Sequence, residues 1–390
     1  MYNTAQIIPQ RNPSIGIIGG GQLGKMIAQE AKRMSLKVII LDPDPECPAS
    51  AIADDHLIAD FKSQIDIRKL SKLVDVVTYE IELADSDVLI DINSGKKTIH
   101  PAPETLKIIQ NKYRQKTFLK EKHLPVPNFA LIESKSQIDE ALLSKGFPLI
   151  VKACEDSYDG KGNRVIHSQD EILSATRAFG SRRCMVEEII DYKKEISVMV
   201  ARNELGQVKS FPVVENFHSD SILDTTIAPA RISKPLEMTA RRVAEKAVEA
   251  LMGSGIFCIE MFVTRKDDIL INEMAPRPHN SGHYTIEGCS ISQFEQHIRS
   301  ILNLPLTDPR LISPTVMVNI LGPQEFEGEY YLAGLHELLS IEGLKLHLYG
   351  KRISKPKRKL GHITITSESL SDAIDKSKKA KTNLRIMKMI

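Results

Sequence analysis

Apolar positions along the chain alternate between strand-like runs and helical spacing. Ser14–Gly19 is an unbroken apolar run closing on glycine, and Gln22–Met34 then sets Leu23, Met26, Ile27, Ala31 and Met34 at helical intervals. Val38–Leu41 is apolar again, so the chain opens as strand, turn, helix, strand, the start of a parallel sheet. Val74–Tyr79 continues the pattern. Pro101-Ala-Pro103 then introduces one long amphipathic stretch, Glu104–Leu124, which stops at Pro125-Val-Pro127. From Asn128 the texture changes: FALI, a predicted helix around Ser136–Lys145, FPLIVKA, and a loop rich in Gly and charge, Glu155–Asn163. Strand-like runs at Met185–Ile190, Ile196–Ala201 and Val208–Val214 precede a helix at Leu236–Leu251, an order that predicts an α+β domain on an antiparallel sheet. Ile256–Val263 and Ile269–Glu273, separated by the polar turn Thr264–Asp268, read as a hairpin. After a helix at Ser292–Leu302, the runs VMVNIL, KLHLYG and HITIT surround a basic segment, Lys351–Lys359.

Composition narrows the class without naming it. Lys plus Arg is 52 against 50 Asp plus Glu in 390 residues, a net charge of +2, so no global field favours nucleic acid and any basic site must be local. No apolar run reaches the ~18–20 residues of a membrane span, and the first dozen residues have neither the basic nor the apolar part of a secretory signal. Five scattered cysteines fit neither a disulfide framework nor a CxxC metal site. A cytoplasmic globular enzyme is the expectation.

Five clusters carry chemistry. Gly19-Gly-Gly21-Gln-Leu-Gly24 lies between strand and helix, where glycines let a phosphate approach free N–H groups; with Asp42 at the end of the next strand it also fits a dinucleotide fingerprint, or a tight turn with no ligand. Glu260 and Glu273 sit on the two hairpin strands among Ile, Met and Phe, where two carboxylates repel unless a cation such as Mg²⁺ lies between them; an outward-facing pair on an exposed sheet is the alternative. Arg277-Pro-His-Asn-Ser-Gly-His283 follows at once, dense in groups that hold oxyanions, or else a polar turn. Lys152 ends a strand before Ser157–Asn163, a Gly/Lys loop able to fold over phosphates. Met185–Ile190 follows with Glu187 or Glu188 on an apolar strand, as an adenine nucleoside requires.

The segments GGGQLGKM (Gly19–Met26), VTYEIE (Val77–Glu82), YDGKG (Tyr158–Gly162), NEMAPRPHNSGHYTIE (Asn272–Glu287) with SQFEQHIR (Ser292–Arg299), and HLYGK with RKLGH (His347–Lys351, Arg358–His362) resemble the ATP-grasp enzymes, specifically the N5-carboxyaminoimidazole ribonucleotide synthases. The resemblance spans almost the whole chain after the tail, and its most specific part is APRPHNSGH. It implies a mixed α/β and α+β fold: an N-terminal tail (1–12), a Rossmann-like parallel-sheet domain (13–124), a two-part ATP-grasp region (125–312, with a small lid part about 128–190 and a larger part about 191–312) and a small β-rich C-terminal domain (313–390). The implied reaction is ATP-dependent carboxylation of 5-aminoimidazole ribonucleotide with bicarbonate, through carboxyphosphate, in purine biosynthesis. ATP and Mg²⁺ are the implied cofactors and a homodimer the implied assembly, with no nucleic acid or membrane partner.

The same resemblance distributes roles. ATP would meet Lys112, Lys152, the loop Ser157, Tyr158, Asp159, Gly160, Lys161, Gly162 and Asn163, the adenine segment Glu187, Glu188, Ile189 and Ile190, then Glu195 at the ribose, with His218, Asn272 and Glu273 bordering it. Glu260 and Glu273 would hold Mg²⁺, and Arg277 and Asn280 the carboxyphosphate oxyanions. Tyr158 and Asp159 would also serve the chemistry. The ribonucleotide would contact Glu80, Lys351, Arg358 and Lys359 and the backbone of Gly21, Gln22 and Leu23, which assigns the glycine turn to its 5′-phosphate. Two segments depart from the family: Cys154-Glu-Asp-Ser157 replaces a basic stretch with Gly-Gly, and Ile81 and Leu83 stand where Phe and Asn are usual. Competing readings are a formate-dependent glycinamide ribonucleotide transformylase or biotin carboxylase, a dinucleotide-dependent oxidoreductase, and a non-catalytic ATP-binding protein.

Overall fold

The computed structural model describes residues 12–95, 97–132, 146–155, 162–180, 182–251 and 253–389. The expected helix near 136–145 and the loop residues Ser157, Tyr158, Asp159, Gly160 and Lys161 lie outside them.

Ser14–Ile18 is buried throughout and pairs in parallel with Lys37–Asp42 on one side and Val76–Tyr79 on the other; Asp55–Ile58 and Thr98–Ile99 complete a five-stranded parallel sheet. Burial on both faces explains why these strands read as unbroken apolar runs. Helix Gln22–Arg33 covers one face through Leu23, Met26, Ile27 and Ala31. Helices Gln64–Leu73 and Ser86–Ser94 cover the other.

The long stretch Glu104–Leu124 is two helices, Pro103–Ile109 and Lys112–Glu121. Asn111 breaks it: its side chain accepts from the Arg114 N–H, a helix start that competes with continuation. The second helix leads into a four-stranded antiparallel lid sheet formed by Phe129–Ile132, Cys184–Glu188, Leu149–Ala153 and Asn163–Ile166.

A separate nine-stranded antiparallel sheet starts at the hairpin of Gly255–Thr264 and Ile269–Ala275 and runs through Tyr192–Arg202, Val214–Ser219 and Ile222–Ala228. It then continues without a break into Thr315–Leu321, Lys359–Thr366 and Leu344–Leu348. Helix Lys234–Ala250 buries Leu236, Ala240, Ala244, Ala247 and Val248 against one face, over Val198, Val200, Phe257 and Ile259. The sequence reading omitted a C-terminal helix, Leu370–Asn383, whose Ala373 packs beneath Val316 and Val318.

Candidate active site

The hairpin carries the carboxylate pair. Glu260 and Glu273 are direct cross-strand partners, and the register slips by one residue between Glu260 and Met261, leaving Asn272 as an extra residue on its strand. Burial along Ile269–Ala275 shows what this does: Ile269, Ile271 and Met274 are buried, while Asn272 and Glu273 are both partly exposed. In an unbroken strand Glu273 would share the inward face of Ile271; the bulge turns it to the face of Glu260. Burial, then the charge of Glu273, pushes the Glu260 carboxyl up to about 7. Glu273 goes the other way, held at about 2 chiefly by the Lys112 ammonium 2.8 Å from its Oε2. Two facing carboxylates with opposed proton affinities suit a hard, oxygen-seeking cation such as Mg²⁺ between them.

Around the pair, side chains from distant segments converge. Lys152 and Lys116 approach the buried Glu187 Oε1 at 3.2 and 3.5 Å, and Lys116 also donates to the Ile271 carbonyl at 3.1 Å. Burial alone would raise Glu187, but the two ammonium groups outweigh it and hold it below the usual range; burial lowers Lys116 to about 8. Replacing Glu187 with Gln is expected to leave two buried ammonium groups without a counter-charge and to cost about 3 kcal/mol in denaturant unfolding at neutral pH. Stability from this carboxylate is present above its unfolded-chain pKa and is lost as pH falls through the lowered folded value, so the gap between wild type and variant should close in acid.

Glu188 instead faces Asn128, whose N–H and Nδ2 donate to it at 2.9 and 2.8 Å. Ile189, exposed, and Ile190, half-buried, form the connection from the lid to Tyr192–Arg202. Glu195 pairs with His218 Nδ1, and the two share the cleft field with Glu260 and Glu273. Gly162 and Asn163 open the lid strand opposite Lys152, with the Ala153 N–H donating to the Gly162 carbonyl at 2.8 Å.

The loop after the hairpin is clamped from helix Gln293–Ile301. Gln293 accepts from the His279 N–H at 2.9 Å and donates to the His279 carbonyl at 2.8 Å, and a Cβ on Gly282 would strike its side chain. Arg277 Nε lies 2.8 Å from Glu82 Oε1, which ties this loop to the end of the N-terminal parallel sheet. Asn280 is buried, and neither its Oδ1 nor its Nδ2 has a partner among the described residues, which fits a residue kept for a ligand. Burial and the Arg277 charge keep His279 well below the ordinary histidine pKa, so it is neutral.

The glycine turn is occupied by the protein's own carboxylates. Gly20 N–H donates to Asp42 Oδ2 and Gly21 N–H to Glu80 Oε1, both at 2.7 Å. Asp42 is buried and also accepts from the Asp44 N–H at 2.9 Å, so the acid expected at a dinucleotide ribose is spent on the turn. Beside Gly21, Gln22 and Leu23 start the helix Gln22–Arg33. Gln22 Oε1 accepts from Lys351 Nζ at 2.8 Å, joining two predicted substrate residues 329 positions apart. Arg358 bonds the Ile353 carbonyl at 2.9 Å within its own basic segment, and Lys359 lies in the field of His279 and His283. A Cβ on Gly24 would sit 2.5 Å from the Gly19 carbonyl oxygen, so Gly24→Ala is expected to open the turn and cost roughly 1–3 kcal/mol in a denaturant titration.

Glu80 supplies a pH signature. Burial pushes its carboxyl up to about 7, against the opposing Gly21 N–H and Arg277. With the folded value above the unfolded one, its contribution to stability is full below about pH 4 and is lost as pH rises through about 7. Glu80→Gln should therefore flatten this part of the stability profile, by roughly 3 kcal/mol at most, read from unfolding midpoints across that window.

Sequence reasoning missed Lys116, Glu82 and the loop clamp Gln293. It also missed three stacked imidazoles, His283 on His362 at 4.6 Å and His362 on His347 at 4.3 Å, where the C-terminal segments meet the central sheet.

This lid, sheet and cleft define an ATP-grasp ligase. The ATP-grasp domain profile matches residues 117–294, the ribonucleotide synthetase preATP-grasp domain 13–110 and the phosphoribosylaminoimidazole carboxylase C-terminal domain 315–376. The N5-carboxyaminoimidazole ribonucleotide synthase of Bacillus subtilis is 38% identical over 354 residues, 91% of each chain. The crystal structure of N5-carboxyaminoimidazole ribonucleotide synthetase from Thermotoga maritima superposes with a TM-score of 0.88 at 45% identity, covering 97% of this chain and 100% of that one. The chain belongs to the N5-carboxyaminoimidazole ribonucleotide synthase family. An Aspergillus clavatus synthase in complex with ADP and 5-aminoimidazole ribonucleotide gives a TM-score of 0.85 at 35% identity, over 95% of this chain and 98% of that one. The phosphoribosylaminoimidazole carboxylase of Ogataea methanolica is 39% identical over 371 residues, 92% of this chain and 67% of that protein; the chain spans about two thirds of the length of such carboxylases. Among the described residues, no helix is long and apolar enough to cross a membrane.

Proposed function

We propose that the chain carboxylates 5-aminoimidazole ribonucleotide with bicarbonate, consuming ATP and releasing ADP and phosphate, as a purine-biosynthetic enzyme of the cytoplasm working as a homodimer. The observation that supports this most is the cross-strand pair Glu260/Glu273 beside a loop that offers Arg277 and Asn280, the latter unpartnered among the described residues. ATP enters between the lid sheet and the central sheet. Lys152 and Lys116 are directed at its phosphates and purine side by Glu187, and Glu195 with His218 takes the ribose. Glu188, Ile189 and Ile190 line the adenine through the lid connection, and Ser157–Asn163 covers the phosphates. Glu260 and Glu273 hold Mg²⁺, which offsets negative charge on the β- and γ-phosphates.

Bicarbonate oxygen attacks the γ-phosphorus, ADP leaves, and carboxyphosphate forms. Arg277 and Asn280 hold its oxyanions, and the clamp from Gln293 keeps them from swinging out. Glu80, Tyr158 and Asp159 orient the amino group that takes the carboxyl. Lys351, Arg358, Lys359 and the N–H groups of Gln22 and Leu23 take the ribonucleotide phosphate. ADP release measured with each acceptor in turn tests the reading: it should require bicarbonate, Mg²⁺ and 5-aminoimidazole ribonucleotide together. Release with glycinamide ribonucleotide and formate instead would overturn it.

A further inference from the structure

Cys258 stands two residues before Glu260 on the strand Gly255–Thr264, so both side chains leave the same face of the sheet. Its Sγ, a Glu260 carboxylate oxygen and a His279 ring nitrogen all lie within 4.8 Å of one another. The reaction proposed above uses neither the thiol nor the imidazole. We propose that Cys258, Glu260 and His279 form a second cation site, selective for a borderline-soft divalent ion of the zinc type, which takes Glu260 away from the magnesium pair and switches the enzyme off when filled.

The donor set argues for the class of ion. One sulfur, one imidazole nitrogen and one carboxylate oxygen match the ligands of a tetrahedral zinc ion with its fourth position open, whereas Mg²⁺ seeks oxygen alone. The imidazole is already aimed. His279 Nδ1 lies 2.9 Å from Ser281 Oγ and accepts from the Ser281 N–H at 3.3 Å, so Nε2, which faces Glu260 Oε1 at 3.5 Å, carries the ring proton and passes it to Nδ1, facing the Ser281 oxygen, when an ion binds. Ser281 Oγ is itself anchored by Ser197 Oγ at 2.9 Å, and Ser197 accepts from Asn216 Nδ2 at 2.9 Å. Such an outer layer fixes a ligating ring before the ion arrives and is what a surface histidine lacks. The thiol is buried beneath the two other donors, 3.6 Å from the same Ser281 oxygen. Ion uptake displaces the thiol proton to solvent and leaves a thiolate–metal bond. Because Glu260 belongs to both donor sets, zinc and magnesium cannot use it fully at the same time.

The test begins with the free protein. Titration with Co²⁺ should produce a thiolate-to-cobalt charge-transfer band and intense tetrahedral ligand-field bands, both bleached by Zn²⁺ and both absent in Cys258→Ala. With Mg²⁺, ATP, bicarbonate and 5-aminoimidazole ribonucleotide, wild type and Cys258→Ala should release ADP at equal rates without zinc, and the variant should need at least about tenfold more Zn²⁺ for half-inhibition. Cys258→Ser, a weaker metal donor of nearly the same size, replaces the alanine variant if the latter melts early. A charge-transfer band that survives removal of Cys258, cobalt spectra with no thiolate band, or equal zinc sensitivity in both proteins would overturn the proposal. The spectra need no substrate, so they stand apart from the identity of the acceptor.

Discussion

Glu273→Gln is expected to lower ADP release by about a thousandfold or more while leaving the fold intact. Gln keeps the shape and one oxygen but removes the charge that, with Glu260 opposite, defines a divalent site. The structural cost is small: the pair with Lys112 at 2.8 Å involves a Glu273 side chain 45% exposed, and such a pair contributes about 1 kcal/mol at most. Thermal unfolding of wild type and variant should therefore nearly coincide, while steady-state turnover separates them. The mirrored variant Glu260→Gln should behave alike in turnover. A variant that turned over at the wild-type rate would remove Glu273 from the metal site.

Arg277→Ala is expected to reduce turnover by roughly a hundred- to a thousandfold, the range seen when one preorganised oxyanion donor is removed. Its guanidinium is the sole cation contributed by the loop Arg277–His283 apart from the histidines, and neutral His279 cannot replace its charge. The same change leaves Glu82 without its partner at 2.8 Å and takes away the positive field that opposes the rise in the Glu80 pKa. The variant should thus show a second effect on the ribonucleotide side, a raised KM for 5-aminoimidazole ribonucleotide with ATP affinity unchanged. Arg277→Lys should recover little, since an ammonium presents no planar fork. Turnover within a few fold of wild type would show that Arg277 anchors Glu82 and does nothing for the oxyanion.

What could be read from the sequence was local. The parallel strands, the hairpin and the Arg277–His283 loop each declare themselves within about ten residues, because strand alternation and donor density need no distant partner. The bulge at Asn272 does not: Ile-Asn-Glu-Met contains no glycine or proline to mark it, and strict alternation would have turned Glu273 inward. Lys116 was invisible for another reason. It lies on a polar helix where a lysine ordinarily faces water, and its partner Glu187 is 71 residues further on. The residue types of the glycine turn fit a phosphate, but its Gly20 and Gly21 donors bond Asp42 and Glu80, carboxylates 22 and 59 residues away that no local spacing rule reaches. The stacked histidines come from three separate segments, so no spacing rule reaches them.

The unbroken sheet from the hairpin to Leu344–Leu348 sets how the two substrates can communicate. Glu260 and Glu273 stand at one end of it and the strands flanking Lys351, Arg358 and Lys359 at the other, joined rung by rung by backbone hydrogen bonds. The lid belongs to a different sheet. A swing of the lid over ATP therefore leaves the span between the carboxylate pair and the basic segment unchanged, as on two marks of one ruler. Thermodynamic coupling between ATP and the ribonucleotide then has two routes, the lid and the loop whose Arg277 ties to Glu82. The affinities of the two ligands should accordingly be less cooperative in a variant whose lid cannot close than in the intact enzyme.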